Sequence, residues 1–156
     1  MNEPSEKLQR VANYFIATSH DADKVITNKK LQKLVYYAQA WNLVFNDNPL
    51  FTDPIEAWIH GPAIRTLYSK YKKYSYNTIA EEPQVGKLAA KEQAVLEDIW
   101  AIYGKFDADY LEALTHNEEP WLAARGNAET DERTSITIDP DLMKSFYARL
   151  LKTVKA

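Results

Sequence analysis

Over about Pro4 to Thr18 the chain places Leu8, Val11, Ala12, Phe15 and Ile16 three and four residues apart, which sets them on one stripe of an α-helix. Pro4 fits the first turn, where a missing N–H costs nothing. The polar stretch from Ser19 to Asp23 breaks the period, and Thr27 then stands as an N-cap for a second helix reaching about Phe45. In that helix Leu31, Leu34, Val35, Ala38, Trp41 and Phe45 share one arc, and Tyr36, Tyr37, Leu43 and Val44 fill much of the rest. A helix apolar on nearly every side is one that others surround, so this segment is expected at the centre of the fold.

Beyond it the pattern shortens. Leu50 to Trp58 holds two apolar pieces around Asp53-Pro54, which predicts a hairpin or extended loop. Pro62 is expected at the first position of a third helix running to about Tyr74, with Gly61 turning the chain into it. Ile64, Leu67, Tyr68, Tyr71 and Tyr74 then lie within about 120° of arc, leaving Arg65, Lys70, Lys72 and Lys73 outside it. After a polar loop over 75–86, a fourth helix from about Lys87 to Tyr103 points Leu88, Val95, Leu96, Ile99, Ile102 and Tyr103 inward and stops at Gly104. Asp107 caps a fifth helix ending near Thr115, with Phe106 and Leu111 spaced as a hydrophobic staple. A short helix carrying Pro120 and Trp121 closes near Arg125, an exposed loop covers 126–135, and Asp139-Pro140 starts a last helix with Leu142, Met143, Phe146, Tyr147, Leu150 and Leu151. The expected fold class is all-α: a compact helical bundle of six or seven helices with one short β-hairpin near residues 50–59. Residues 1–156 are read as a single domain, since no repeat or composition break divides them.

Composition sharpens this in three places. Aromatics make up 12% of 156 residues, with 10 Tyr and 4 Trp, supplying large areas with polar tips for a core or a binding surface. A net charge of −3 opposes a protein devoted to duplex nucleic acid, although a local basic patch stays open. The absence of cysteine excludes disulfides, thiolate metal sites and cysteine nucleophiles. The amino terminus is polar and no apolar run approaches the ~20 residues of a membrane span, so a cytoplasmic protein is expected.

Candidate chemistry is sparse. His20, His60 and His116 each stand alone, without the close pairing of a zinc motif, and glycines at 61, 86, 104 and 126 cannot form a phosphate loop. No GxSxG elbow is present. Two similar constellations remain: Trp58 with His60-Gly61-Pro62, and Thr115-His116 with Pro120-Trp121. The tryptophans are expected in the core. The histidines fit either backbone hydrogen bonds at helix ends or a pocket.

The run Ile26-Thr-Asn-Lys-Lys-Leu-Gln-Lys-Leu-Val-Tyr-Tyr-Ala-Gln39, followed by Pro49-Leu-Phe51, Ile55-Glu-Ala-Trp58, Gly61-Pro62, Tyr68, Leu114-Thr-His116 and Pro120-Trp121, resembles the Panacea domain over roughly residues 5 to 125. The resemblance implies an antitoxin of a bacterial or phage toxin–antitoxin pair, a helical domain that binds and neutralises its toxin without a cofactor, metal or catalytic residue. The implied partner is a cognate toxin encoded by the adjacent gene. Across the family the toxins are of unrelated kinds. Leu31, Lys33, Leu34, Tyr36, Trp58, Gly61, Pro62, Tyr68, His116, Pro120 and Trp121 are the motif positions, expected to be structural. Ala63-Ile64 stands where the family has a Val-Val-like pair, the tail after about Gly126 matches no general pattern, and the added operator-binding region that some members carry is not expected here. Toxin contact is expected from Phe51, Asp53 and His60 at an exposed edge and from Arg65, Lys70, Lys72 and Lys73 on the third helix. Two alternatives stay open: an adaptor that delivers a partner to a protease, and an RNA binder or enzyme using His60, His116, Lys72 and Lys73.

Overall fold

In the computed structural model, which describes residues 3–129 and 132–155, positions 31 to 40 are buried without interruption. They belong to α2 (Asn28–Asn46), which touches α1 (Glu6–Asp21), β2 (Gly61–Ala63), α3 (Arg65–Tyr71), α4 (Ala90–Tyr103), α5 (Ala108–His116) and α7 (Pro140–Lys155). The remaining elements are β1 (Glu56–Trp58) and α6 (Glu119–Arg125), and a 3-10 turn, Lys72–Tyr74, extends α3. The described residues thus form a mostly helical fold of seven α-helices with one antiparallel hairpin, as the pattern predicts.

A central helix needs somewhere to put its polar groups, and α2 spends them on the main chain of its neighbours. Gln39 donates to Phe51 O and accepts from Leu50 N, both at 2.7 Å, and Asn42 donates to Asn48 O at 2.6 Å. Lys30 Nζ reaches Gly104 O at 2.7 Å. At Leu50, Phe51 and Gly104 these bonds satisfy irregular backbone that is buried, which is what permits loops to pack on a buried helix. Thr27 caps the start by accepting from Lys30 N at 3.2 Å, and Asp47, at φ 58°, ends it.

The segment after residue 126 is joined to this core through aromatic hydroxyls. Tyr147 of α7 and Tyr37 of α2 both donate to Glu118 Oε1 at 2.8 Å, and the Tyr36 and Tyr147 hydroxyls lie 3.0 Å apart. Tyr37 stacks on Tyr103 of α4 at 4.1 Å. Burial raises the Glu118 carboxyl above its usual range, against the lowering effect of the two tyrosine hydrogen bonds.

Several expectations are corrected. Pro62 lies in β2, and α3 begins three residues later at Arg65. The hairpin turns at Ile59-His60, so its return strand is made of residues assigned to the helix start. Pro4 precedes the N-cap, which is Ser5. Leu88 lies ahead of α4, and Ile102 is 54% exposed, on the flank of the face that Ile99 and Tyr103 bury. Phe106 stacks on Tyr110 at 4.2 Å. Of the predicted loop over 126–135, residues 130 and 131 lie outside the described residues.

Candidate functional site

Gly61 follows the hairpin turn with φ 105°, a left-handed value that glycine adopts without strain. A Cβ there would sit 2.6 Å from Lys33 Cε and 2.9 Å from Thr115 Oγ1, so the hairpin lies directly on α2 and α5. Lys33 is buried and donates to Pro62 O at 3.0 Å, and Gln32 accepts from Ile64 N at 2.8 Å. Asn28, bonded to Gln32 at 3.0 Å, donates to Tyr68 O at 3.0 Å. Residues 28, 32 and 33 are thus one polar row that fixes the hairpin and α3 against the central helix. Burial pushes the Lys33 amine down to about 7, although Glu112 acts in the opposite sense.

The two tryptophan-histidine constellations meet on this hairpin. Trp121 Nε1 donates to Trp58 O at 2.8 Å, and the His116 ring stacks on Trp121 at 4.0 Å. Arg125 lies 5.0 Å over the same Trp121 ring and donates to Ala57 O at 3.1 Å. Trp121, expected in the core, is buried, and so is Pro120 beside it, whereas Trp58 is only partly covered, a correction to its placement in the core. Leu31, Leu34 and Tyr36 are fully buried.

Beside the hairpin turn a shallow cleft of about 290 Å³ is lined by Lys29, His60, Asp109, Glu112, Ala113 and His116. Glu112 is its hub. It pairs with Lys29, lies 3.1 Å from His60 Nδ1 and 4.0 Å from His116 Nε2, while Lys29 also reaches Asp109 at 2.9 Å. Burial alone would raise the Glu112 carboxyl, but the Lys29 and His60 hydrogen bonds outweigh it and hold the group below its usual range. Burial lowers the His116 imidazole, against the charge of Glu112. Among the described residues no group of three or more acidic or histidine side chains is arranged to hold a metal ion. The cluster ties the hairpin turn to α2 and α5. Glu112 and Asp109 were not singled out by sequence; the spacing of Glu112 and His116 at i and i+4 was the available signal.

The residues expected at a toxin-binding edge separate into four environments. Phe51 is only 3% exposed and belongs to the core, which corrects its assignment to an open edge. Asp53 accepts from Ser5 N at 3.0 Å and from the Ser5 hydroxyl, anchoring the start of α1. Lys70 donates to Gln9 Oε1 at 2.6 Å, Lys73 lies 3.7 Å from Glu81, and Lys72 is exposed, so the lysines border α1 and the 81–83 loop. Only His60 and Arg65 remain at the hairpin. Arg65 pairs with Glu56 at 2.8 Å and lies 5.5 Å over the Trp58 ring, against which Tyr68 packs edge-on at 5.1 Å.

Most of this assembly of hairpin, α2, α5 and α6 lies in the part of the chain that matches a known family. No curated protein and no solved structure matches the chain. The family described as antitoxin SocA-like, Panacea domain, matches residues 31–122, more than half the sequence, including both strands of the hairpin and most of α2, all of α5 and the start of α6. The chain therefore belongs to the SocA-like antitoxin family.

Proposed function

We propose that the chain acts as a single domain that neutralises a cognate toxin by direct protein contact, with the outer surface of the hairpin as the contact face. The observation that carries this reading is the Arg65–Trp58–Tyr68 group: a guanidinium over a partly exposed indole, on a rigid hairpin held by α2 and α6. Arginine and aromatic side chains supply most of the energy at protein interfaces when a firm scaffold presents them. His60, its side chain 72% exposed at the turn, completes the rim. The lysines at 70, 72 and 73 sit apart from that group and steer association by charge. Neutralisation by occlusion needs no chemical step and no cofactor. Among the described residues no helix is long and apolar enough to cross a membrane, which fits a cytoplasmic binder of a protein partner.

The test is co-expression with the product of the adjacent gene. Growth arrested by that product is restored by this chain, and the toxin's half-life is unchanged, which separates sequestration from delivery to a protease. Persistent arrest, or a neighbour that is harmless alone, contradicts the reading.

A further inference from the structure

β1 has two neighbours. One side pairs with β2, and the other meets an extended stretch, residues 134–138. Ala57 N donates to Ile136 O at 2.9 Å, Ile138 N donates to Ile55 O at 2.7 Å, and Glu56 bridges Thr137 in antiparallel sense. In a pair of this kind the backbone groups of Thr137 point away from β1, and those of Ser135, two residues back, point the same way. Among the described residues neither Ser135 nor Thr137 has a partner for its N–H or C=O. Ile136, between them, is 52% exposed. No proline or charge interrupts 134–138, so the usual guards of an open sheet edge are missing from it.

We propose that this edge joins two copies of the chain, with residues 134–138 of one running antiparallel to the same residues of the other about a two-fold axis at Ile136. The outward groups select that register: Ser135 of each copy faces Thr137 of the other as a hydrogen-bonded pair, so all the open donors and acceptors of both residues are used. Ile136 meets Ile136 in the closer, non-hydrogen-bonded type of pair, which covers both exposed side chains. The same register puts Arg133 opposite Asp139 of the other copy at each end. Arg133 is exposed and has no ion pair among the described residues. Asp139 uses Oδ1 to accept from Asp141 N at 2.9 Å, which leaves its second oxygen for a guanidinium. This charge complementarity, positive before the edge and negative after it, singles out a second copy as the occupant. A contact of five residues per copy is small, so the pair forms in a concentration-dependent way.

The lack of cysteine makes a direct test available, because Ile136→Cys introduces one thiol at the axis, where the spacing of an antiparallel pair suits a disulfide. Under mild oxidation Ile136→Cys gives a covalent dimer, whereas Ile102→Cys, equally exposed on α4, stays monomeric. Sedimentation of the unaltered chain shows a dimer fraction that rises with concentration. Arg133→Glu and, separately, Thr137→Pro weaken it at least tenfold, with melting curves confirming that each variant is folded. Cross-linking of Ile136→Cys no faster than Ile102→Cys overturns the proposal, as does a chain that remains monomeric throughout. If the chain is monomeric alone and Arg133→Glu instead weakens capture of the toxin, the edge serves that partner and the dimer is refuted.

Discussion

On α2, Lys30 and Lys33 are buried and end on main-chain carbonyls, of Gly104 at 2.7 Å and Pro62 at 3.0 Å, whereas Lys70, Lys72 and Lys73 on α3 and its 3-10 turn are exposed. The same side chain does two jobs. Inside, an amine that has lost its hydration fixes the places where the chain reverses against the central helix, and its removal leaves a buried carbonyl unpaired. Outside, the amine stays hydrated, adds little to stability and contributes through long-range charge. The hairpin depends on the first kind of lysine, and toxin encounter, in the reading given above, on the second.

The contrast is broken most severely from the hairpin's far side. Trp121→Ala removes a buried ring, its stacking with His116 and its bond to Trp58 O, and should destabilise the fold by about 3–5 kcal/mol in denaturant melts. Gly61→Ala comes next. The left-handed backbone and the 2.6 Å approach to Lys33 Cε predict a loss of about 1–3 kcal/mol, read the same way. Lys33→Met tests the buried amine itself. Because the folded pKa is lowered to about 7, the folded chain binds fewer protons than the unfolded chain between there and the ordinary lysine value of about 10.4. Stability gained from this group therefore rises with pH across that window, by at most about 1.4 kcal/mol per unit, and below pH 7 the cost of burying the charge is fully present. Urea melts from pH 7 to 9 should show a shallower pH slope for Lys33→Met than for the parent; equal slopes would show that Lys33 does not titrate there. Smallest is the charge reversal Lys72→Glu with Lys73→Glu, which should shift stability by no more than about 0.5 kcal/mol, since these side chains are solvated.

Where the sequence was legible, periodicity and capping had no competitor. Thr27 marked the start of α2 and Asp107 that of α5, and α2 was recognisable as central because its apolar residues leave no solvent face. Between 56 and 64 two readings fit the same letters. A proline after a glycine serves a helix start or a strand after a tight turn, and the choice was made by the side chains of Lys33 and Gln32, far away in sequence. Phe51 belongs to the core and not to an edge because Gln39, distant in sequence, binds the main chain of Leu50 and Phe51 and holds the segment against α2. Glu112 went unnoticed because its partners, Lys29 and His60, come from two other elements. The tie between α7 and the core rests on Tyr147 and Glu118, and no local pattern pairs two such residues.

The central claim is that capture of the toxin is carried by the guanidinium and indole at the hairpin and only steered by the lysines. Calorimetric titration of the purified toxin with Arg65→Ala tests it most directly, because Arg65 is exposed and its loss spares the core. The account predicts affinity weaker by about 1–2 kcal/mol with an unchanged melting temperature. Parental affinity in the folded variant would contradict it.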